Sequence, residues 1–286
     1  MAEAAQRVAV VTGANSGIGK QVAKALARQG WRVIGTGRDA DRIKAAEAEI
    51  RAAAPDAQID ILRADLSLLA EAETLADAIA ARTDRVDLLV NNAGGMTDAL
   101  VMTPEGLEAN FAGNHLGPFV LTRRLLHLLR AAAADAPKGS VRIINTASDA
   151  SEMIPGINLD DLQNLERFSP GLAYCTGKLA NVLFARALAV RLADDNIVAH
   201  AVHPGAVASN FFSYAPADTQ ERAKGLEKAS EEEGADTIIW LATAPEGGQS
   251  SGGYWYHRAP RTPNQVVEDA AVVARFWEES EKLTNR

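Results

Sequence analysis

Residues 8–30 read VAVVTGANSGIGKQVAKALARQG, and the fold follows from them. An apolar, β-branched run from Val8 to Thr12 enters a turn with glycine at 13, 17 and 19. Helical periodicity then takes over from Lys20 to Arg28. Strand, glycine-rich turn and helix in that order suit a pyrophosphate. Glycine permits the tight turn, backbone N–H groups approach the anion, and the helix N-terminus favours its charge. The spacing is G-x-x-x-G-x-G rather than G-x-G-x-x-G, so the motif alone leaves an ordinary turn as the alternative.

Working outward, six more runs have strand character: WRVIGT (Trp31 to Thr36), QIDIL (Gln58 to Leu62), VDLLVN (Val86 to Asn91), VRIINT (Val141 to Thr146), NIVAHAV (Asn196 to Val202) and GGYWY (Gly252 to Tyr256). Strands that are nearly all apolar and are separated by helices imply an α/β fold whose parallel sheet is covered on both faces. Two irregular stretches, residues 149–170 and 204–216, each follow a strand. They fall at the carboxyl edge, where loops bind ligands, and are the expected walls of a substrate pocket.

Composition bounds the function. The 286 residues are 47% apolar, which excludes a disordered chain, and a net charge of −8 without a basic run argues against a nucleic-acid partner. The single cysteine, Cys175, excludes an intrachain disulfide and a cysteine-built zinc site, and no metal site is expected. No segment reaches about 18 continuous apolar residues. A cytoplasmic protein without a membrane anchor is the expectation.

Two further places carry chemistry. The second strand ends in GTG, followed by Arg38 and Asp39. A carboxylate here accepts from a free ribose 2′-OH, whereas an arginine pairs with a 2′-phosphate. Asp39 lies at the right distance for the first role, yet it also stands where the next helix begins and reads equally as an N-cap. Gly37 leaves room beside Arg38, which favours NADP(H) over NAD(H). The second place is Tyr174 with Lys178, which share one helix face in AYCTGKLANVLFARAL. A phenol near pKa 10 is a poor acid or base at neutral pH, and a nearby ammonium lowers that value. A buried tyrosine beside a solvated lysine is the alternative for the isolated pair.

Taken together, the motifs resemble the short-chain dehydrogenase/reductase family over nearly the whole chain. They are TGANSGIG (Thr12 to Gly19), NNAG (Asn91 to Gly94), NHLG (Asn114 to Gly117), Ser148 after RIINTAS, Tyr174 with Lys178, and HPG (His203 to Gly205). The stretches AYCTGKLANVLFARAL, NHLGPFVLT and SGGYWY, with ARFWEESEKL in the tail, look like the retinol dehydrogenase-like branch.

The resemblance implies one domain over residues 1–286, a Rossmann-type doubly wound sheet of seven parallel strands with helices on both faces. Residues 149–170 would form a cap-like insertion and 204–216 a substrate loop. Tyr174 would be general acid in carbonyl reduction and base in alcohol oxidation, Ser148 would hold the substrate oxygen, and Lys178 would hold the nicotinamide ribose and lower the tyrosine pKa. Asn114 would keep a relay water in place. Cofactor contacts would come from Gly13, Asn15, Ser16, Gly17, Ile18 and Gly19, from Arg38, Asp65 and Leu66, from Asn92, Ala93 and Gly94, and from Pro204, Gly205, Val207 and Ser209, besides Tyr174 and Lys178. His203 would be structural. Met153, Ile154, Phe211, Phe212 and Tyr214 could line an apolar pocket, with core packing an equal alternative for each. The implied activity is NADP(H)-dependent interconversion of a carbonyl and an alcohol on a small apolar substrate, and a noncatalytic NADP(H)-binding sensor or interaction protein is the alternative. A homodimer or homotetramer through the helices Leu116 to Ala133 and Leu172 to Leu192 is in keeping with the resemblance.

Overall fold

The computed structural model describes residues 6–209, 211, 213 and 215–285. Seven strands lie parallel in one sheet: β1 (Val8–Val11), β2 (Arg32–Gly37), β3 (Ile59–Arg63), β4 (Leu88–Asn91), β5 (Val141–Thr146), β6 (Ile197–Val202) and β7 (Tyr254–Tyr256). The seven expected parallel strands are joined by an eighth, antiparallel one. After β7 the chain reverses through His257 and Arg258, and β8 (Ala259–Pro260) pairs antiparallel with β7, giving the order β3-β2-β1-β4-β5-β6-β7-β8. His257 and Arg258 both have positive φ, 47° and 59°, as a two-residue hairpin turn requires. Neither residue is glycine or asparagine, so the turn carries no sequence signal. Asp236 holds it instead, accepting from Arg258 Nε at 2.7 Å.

The pleat divides the apolar residues between two cores. Val8 and Val10 face one side, Ala9 and Val11 the other. The helices α1 (Gly17–Arg28), α2 (Ala40–Ala53) and α8 (Glu231–Thr243) cover the Ala9 side. The opposite side is covered by α3 (Leu69–Ala80), α5 (Gly117–Ala133), α6 (Pro170–Arg191) and the C-terminal α9 (Ala270–Thr284). Two shorter helices, α4 (Ala109–Phe111) and α7 (Ala217–Lys224), lie in the connections. On the α9 side, Phe276 and Trp277 pack against Phe119 of α5 and Phe184 of α6. Each buried phenylalanine contributes about 2 kcal/mol of transfer free energy.

Successive strands run outward in opposite directions from β1, which lies between β2 and β4. The crevice beyond β1 and β4 is therefore the topological switch point, where open α/β sheets bind ligands. Between α4 and α5 the backbone makes one π turn, Ala112–Leu116, which carries Asn114. Such turns are rare and concentrate at functional sites.

Candidate active site

The glycine-rich turn joins β1 to α1 and is closed by its own packing. Gly13 and Gly17 have φ of 70° and 56°, a region that favours glycine. A Cβ at Gly19 would lie 2.4 Å from the Gly13 carbonyl oxygen, so no side chain fits there. Thr12 ties the turn to the loop after β4: its Oγ1 accepts from the N–H groups of Asn92 and Ala93, each at 2.9 Å. Asn92 Nδ2 returns a bond to Thr12 O at 2.9 Å. From the other side, Ser209 approaches to 3.7 Å from the position a Gly17 Cβ would take. The turn, the NNAG loop and the loop after β6 thus meet over the switch point. Bare backbone at the N-terminus of α1 fits a dinucleotide pyrophosphate.

At the adenosine end, the expectations are modified. A Cβ at Gly37 would meet Asn15 Cγ at 2.5 Å, so the space beside Arg38 is taken by Asn15 rather than left for a phosphate. Asp39 is the N-cap of α2, accepting from Arg42 N at 2.9 Å, which occupies its carboxylate locally. Arg38 extends towards Asp65, with 3.9 Å between them. Arg42, which the sequence motifs did not single out, lines a cleft of about 210 Å³ together with Asn15, Ser16, Gly17 and Lys20. Its signal was available: it follows the N-cap by three residues, on the first turn of α2. Leu66 is buried, and its carbonyl presses on Gly117 so closely that a Cβ there would be 1.9 Å away.

Ser148, Tyr174, Lys178 and Asn114 come from three different connections and converge. Lys178 and Tyr174 stand one turn apart on α6, with Nζ 5.7 Å from the phenol ring centroid. The ammonium is buried and donates to Thr146 O at 3.1 Å. The same carbonyl accepts from Asn181 Nδ2 at 3.0 Å. Burial pulls the Lys178 pKa from 10.5 down to about 8. Asn114 faces Lys178 across Gly94: a Cβ on that glycine would lie 2.5 Å from Asn114 Oδ1 and 3.4 Å from Lys178 Nζ. Asn114 is fastened by Gly95, whose N–H donates to Oδ1 at 3.2 Å and whose carbonyl accepts from Nδ2 at 2.8 Å. Asn110, one turn earlier, also accepts from Nδ2. Its i, i+4 spacing to Asn114 was visible in the sequence, but the intervening π turn was not.

Burial raises the Tyr174 pKa above its ordinary value, hydrogen bonding with Ser148 lowers it, and the charges of Asp149 and Cys175 raise it further. Ser148 caps the short turn Asp149–Glu152; its hydroxyl donates to Asp149 Oδ1 at 2.9 Å and accepts from Ala150 N at 3.2 Å. His203 is buried and stacks on Tyr256 at 4.7 Å. Its Nδ1 accepts from the N–H groups of Asp149 and Gly205, and burial lowers its pKa, so it is a neutral structural imidazole. Pro204 and Gly205 follow it, Gly205 at φ 85°. Val207 pairs with Ala229 and packs so closely on Gly234 that a Cβ there would meet Cγ2 at 2.5 Å. Burial raises the pKa of the half-buried Cys175 thiol, which disfavours the thiolate.

Of the expected apolar wall, Phe211 has its ring 5.1 Å from that of Tyr174. Met153 is 73% exposed and Ile154 packs against the core, while Phe212 and Tyr214 lie outside the described residues. The insertion is strapped to the tail rather than free: Asn264 Nδ2 donates to Ser151 O and Ile154 O, and Arg261 pairs with Glu152. Among the described residues there is no cluster of three or more metal-ligating side chains and no helix long and apolar enough to cross a membrane.

Comparison with known proteins agrees with this architecture. The short chain dehydrogenase family model matches residues 7–220. A Streptomyces sp. (strain C5) protein provisionally named as a daunorubicin C-13 ketoreductase is 37% identical, covering 96% of this chain and 91% of that one. Human retinol dehydrogenase 13 is 35% identical over 97% of this chain and 84% of its own. Among solved structures, the Pseudomonas aeruginosa RhlG/NADP active-site complex superposes with a TM-score of 0.71 at 28% identity, covering 88% of this chain and 94% of that one. With a glycine-rich turn at the switch point and these relatives, the chain belongs to the short-chain dehydrogenase family, in its retinol dehydrogenase-like branch, and is an oxidoreductase of the alcohol–carbonyl pair.

Proposed function

We propose that the protein is an NADP(H)-dependent carbonyl reductase or alcohol dehydrogenase for small apolar substrates, with Tyr174 as general acid and base. The observation that carries this reading is the buried Lys178 ammonium, without a carboxylate partner among the described residues, beside a tyrosine that Ser148 reaches. A buried cation without a counter-charge costs free energy, and here it stands 5.7 Å from the ring centre of a phenol that must change its protonation. Ser148 and Tyr174 bind the substrate oxygen from two directions. Tyr174 Oη gives its proton to the developing alkoxide in reduction and takes it back in oxidation. Lys178 stabilises the phenolate that this leaves, and Asn114 orders the polar path from Lys178 towards Gly95. Phe211 supplies an apolar surface beside the reacting carbon.

The turn residues Gly13 to Gly19, with Asn92, Ala93 and Gly94, would hold the dinucleotide. Pro204, Gly205, Val207 and Ser209 would hold its carboxamide end. A nicotinamide held there supplies the hydride in reduction and accepts it in oxidation. Preference for NADP(H) rests on Arg42, in the cleft with Asn15 and Ser16 that Glu49 and Glu231 also line, and on the exposed Arg38 just after β2, two cations suited to a 2′-phosphate. The structural relative RhlG, solved as a complex with NADP, points the same way. We read residues 1–286 as one domain with its insertion at 149–170 and its substrate loop at 204–216, acting in the cytoplasm. A homodimer or homotetramer would have to form on the parts of α5 and α6 that α9 leaves open, where Val190 is 70% exposed.

The test is transfer of deuterium from 4-deuterated NADPH to a panel of aliphatic aldehydes, aromatic ketones, retinal and steroid ketones. One stereoisomer of the cofactor should donate, and Tyr174→Phe should abolish turnover while NADPH still binds. Tight NADPH binding with no transfer to any member would refute the reading and favour a noncatalytic sensor.

A further inference from the structure

We propose that His115 and Ser280 form a positioning pair that sets the π turn carrying Asn114, so that the C-terminal helix α9 is part of the reaction's machinery. The inference rests on the role given above to Asn114. Asn114 and His115 are consecutive on the turn Ala112–Leu116, and their side chains leave it in different directions. Asn114 reaches the loop after β4. His115 enters a cage of four phenylalanines, with ring centroids at 5.2 Å (Phe111), 5.6 Å (Phe119), 5.5 Å (Phe184) and 4.8 Å (Phe276).

The cage would accept an apolar side chain at lower cost. His115 is fully buried, and burial drops its pKa to about 3, so the imidazole is neutral. Its Nε2 lies 2.9 Å from Ser280 Oγ. Ser280, also fully buried, donates its hydroxyl proton to Phe276 O at 2.9 Å. The serine oxygen is therefore the acceptor for His115, which fixes the tautomer with hydrogen on Nε2. Nδ1 is buried and has no hydrogen-bond partner among the described residues. An unpartnered buried acceptor loses its hydration without replacement, so the fold bears a penalty for having histidine here.

What the pair supplies is rotational control. A π turn has an extra residue relative to the helices around it and is intrinsically weak. This one is fastened on both sides: Asn110 and Gly95 hold Asn114, and Ser280 holds the next residue. Rolling the turn enough to break the His115 bond would draw Asn114 Oδ1 away from the Gly95 N–H. The Ser280 hydroxyl bonds to His115 and Phe276 rather than to Asn114, Ser148, Tyr174 or Lys178, so it acts through the turn.

The experiment compares wild type, Ser280→Ala and His115→Phe as full chains. The first readout is hydrogen exchange of the Gly95 amide by NMR, with the β1 amide of Ala9 as internal control. Loss of one net hydrogen bond corresponds to about tenfold faster exchange at Gly95, with Ala9 unchanged. His115→Phe fills the cage and removes the bare Nδ1, so faster Gly95 exchange in a variant of equal or higher Tm separates positioning from fold loss. The second readout is turnover on the carbonyl panel: kcat should fall about tenfold with little change in the KM for NADPH, and the fall should vanish in an Asn114→Ala background. Unchanged Gly95 exchange in both variants overturns the proposal, as does a fall in kcat that persists undiminished without Asn114. Faster exchange in a protein whose wild type turns over no carbonyl would uphold the positioning pair and remove the proposed reaction.

Discussion

Replacing Lys178 by methionine should make the cofactor-free protein more stable while removing its activity. Burial lowers the Lys178 pKa from 10.5 to about 8. At about 1.4 kcal/mol per pH unit, the folded state disfavours the ammonium by about 3 kcal/mol. Methionine has a similar length, carries no charge and forfeits only the hydrogen bond to Thr146 O, worth about 1 kcal/mol. That carbonyl keeps Asn181 as a partner. The net gain at pH 7 is about 2 kcal/mol, or roughly 4 °C in Tm for a chain of this size. The sign of the pH dependence follows from linkage. Because the folded pKa lies below the unfolded one, the unfolded chain binds more protons between them. Wild-type stability therefore rises as pH climbs from about 8 towards 10.5, and the penalty is complete below about 8. Urea unfolding of both proteins without cofactor at pH 7 and pH 10 makes the measurement, since all other titrating groups cancel in the difference. Destabilisation at pH 7, or a gain equal at both pH values, would refute the reasoning and show that the ammonium is internally solvated.

Three other outcomes follow from the geometry. Arg38→Ala and Arg42→Ala should each raise the KM for NADPH about tenfold or more while leaving that for NADH nearly unchanged, because a charge-assisted contact exists only with the 2′-phosphate; equal effects on both cofactors would remove the NADP preference. Asp149→Asn keeps an Oδ1 acceptor for Ser148 and should lower the Tyr174 pKa, because the Asp149 charge raises it, and so move the acid limb of the pH profile for alcohol oxidation to lower pH; an unmoved limb or a shift to higher pH would refute that role of the charge. Gly19→Ala places a methyl 2.4 Å from a backbone oxygen that cannot yield, and should cost about 1–3 kcal/mol of stability and most of the NADPH affinity by fluorescence titration.

The buried lysine also explains why the pieces of the site differ in how readable they were. Tyr174 and Lys178 sit four residues apart on one helix, and their shared face is a local fact. That no carboxylate meets the ammonium among the described residues is a property of three distant connections meeting, and so is its lowered pKa. Arg38 stood out because it adjoins the strand end. Arg42 needed the fold of the first turn of α2 over Asn15 and Ser16 before it faced the cleft they line. Gly37 was read as room for a ligand, and the structure fills that room with a side chain from the neighbouring turn.

Local periodicity by itself determined the alternating strands and helices, the parallel sheet and the glycine-rich turn at its start, because alternation, helical spacing and a left-handed turn are properties of a few adjacent residues. Only the tertiary structure decided the antiparallel β8, the π turn under Asn114 and the cage that joins His115 to Ser280. Each depends on contacts between residues far apart in the chain, 165 positions in the last case, which no local pattern records.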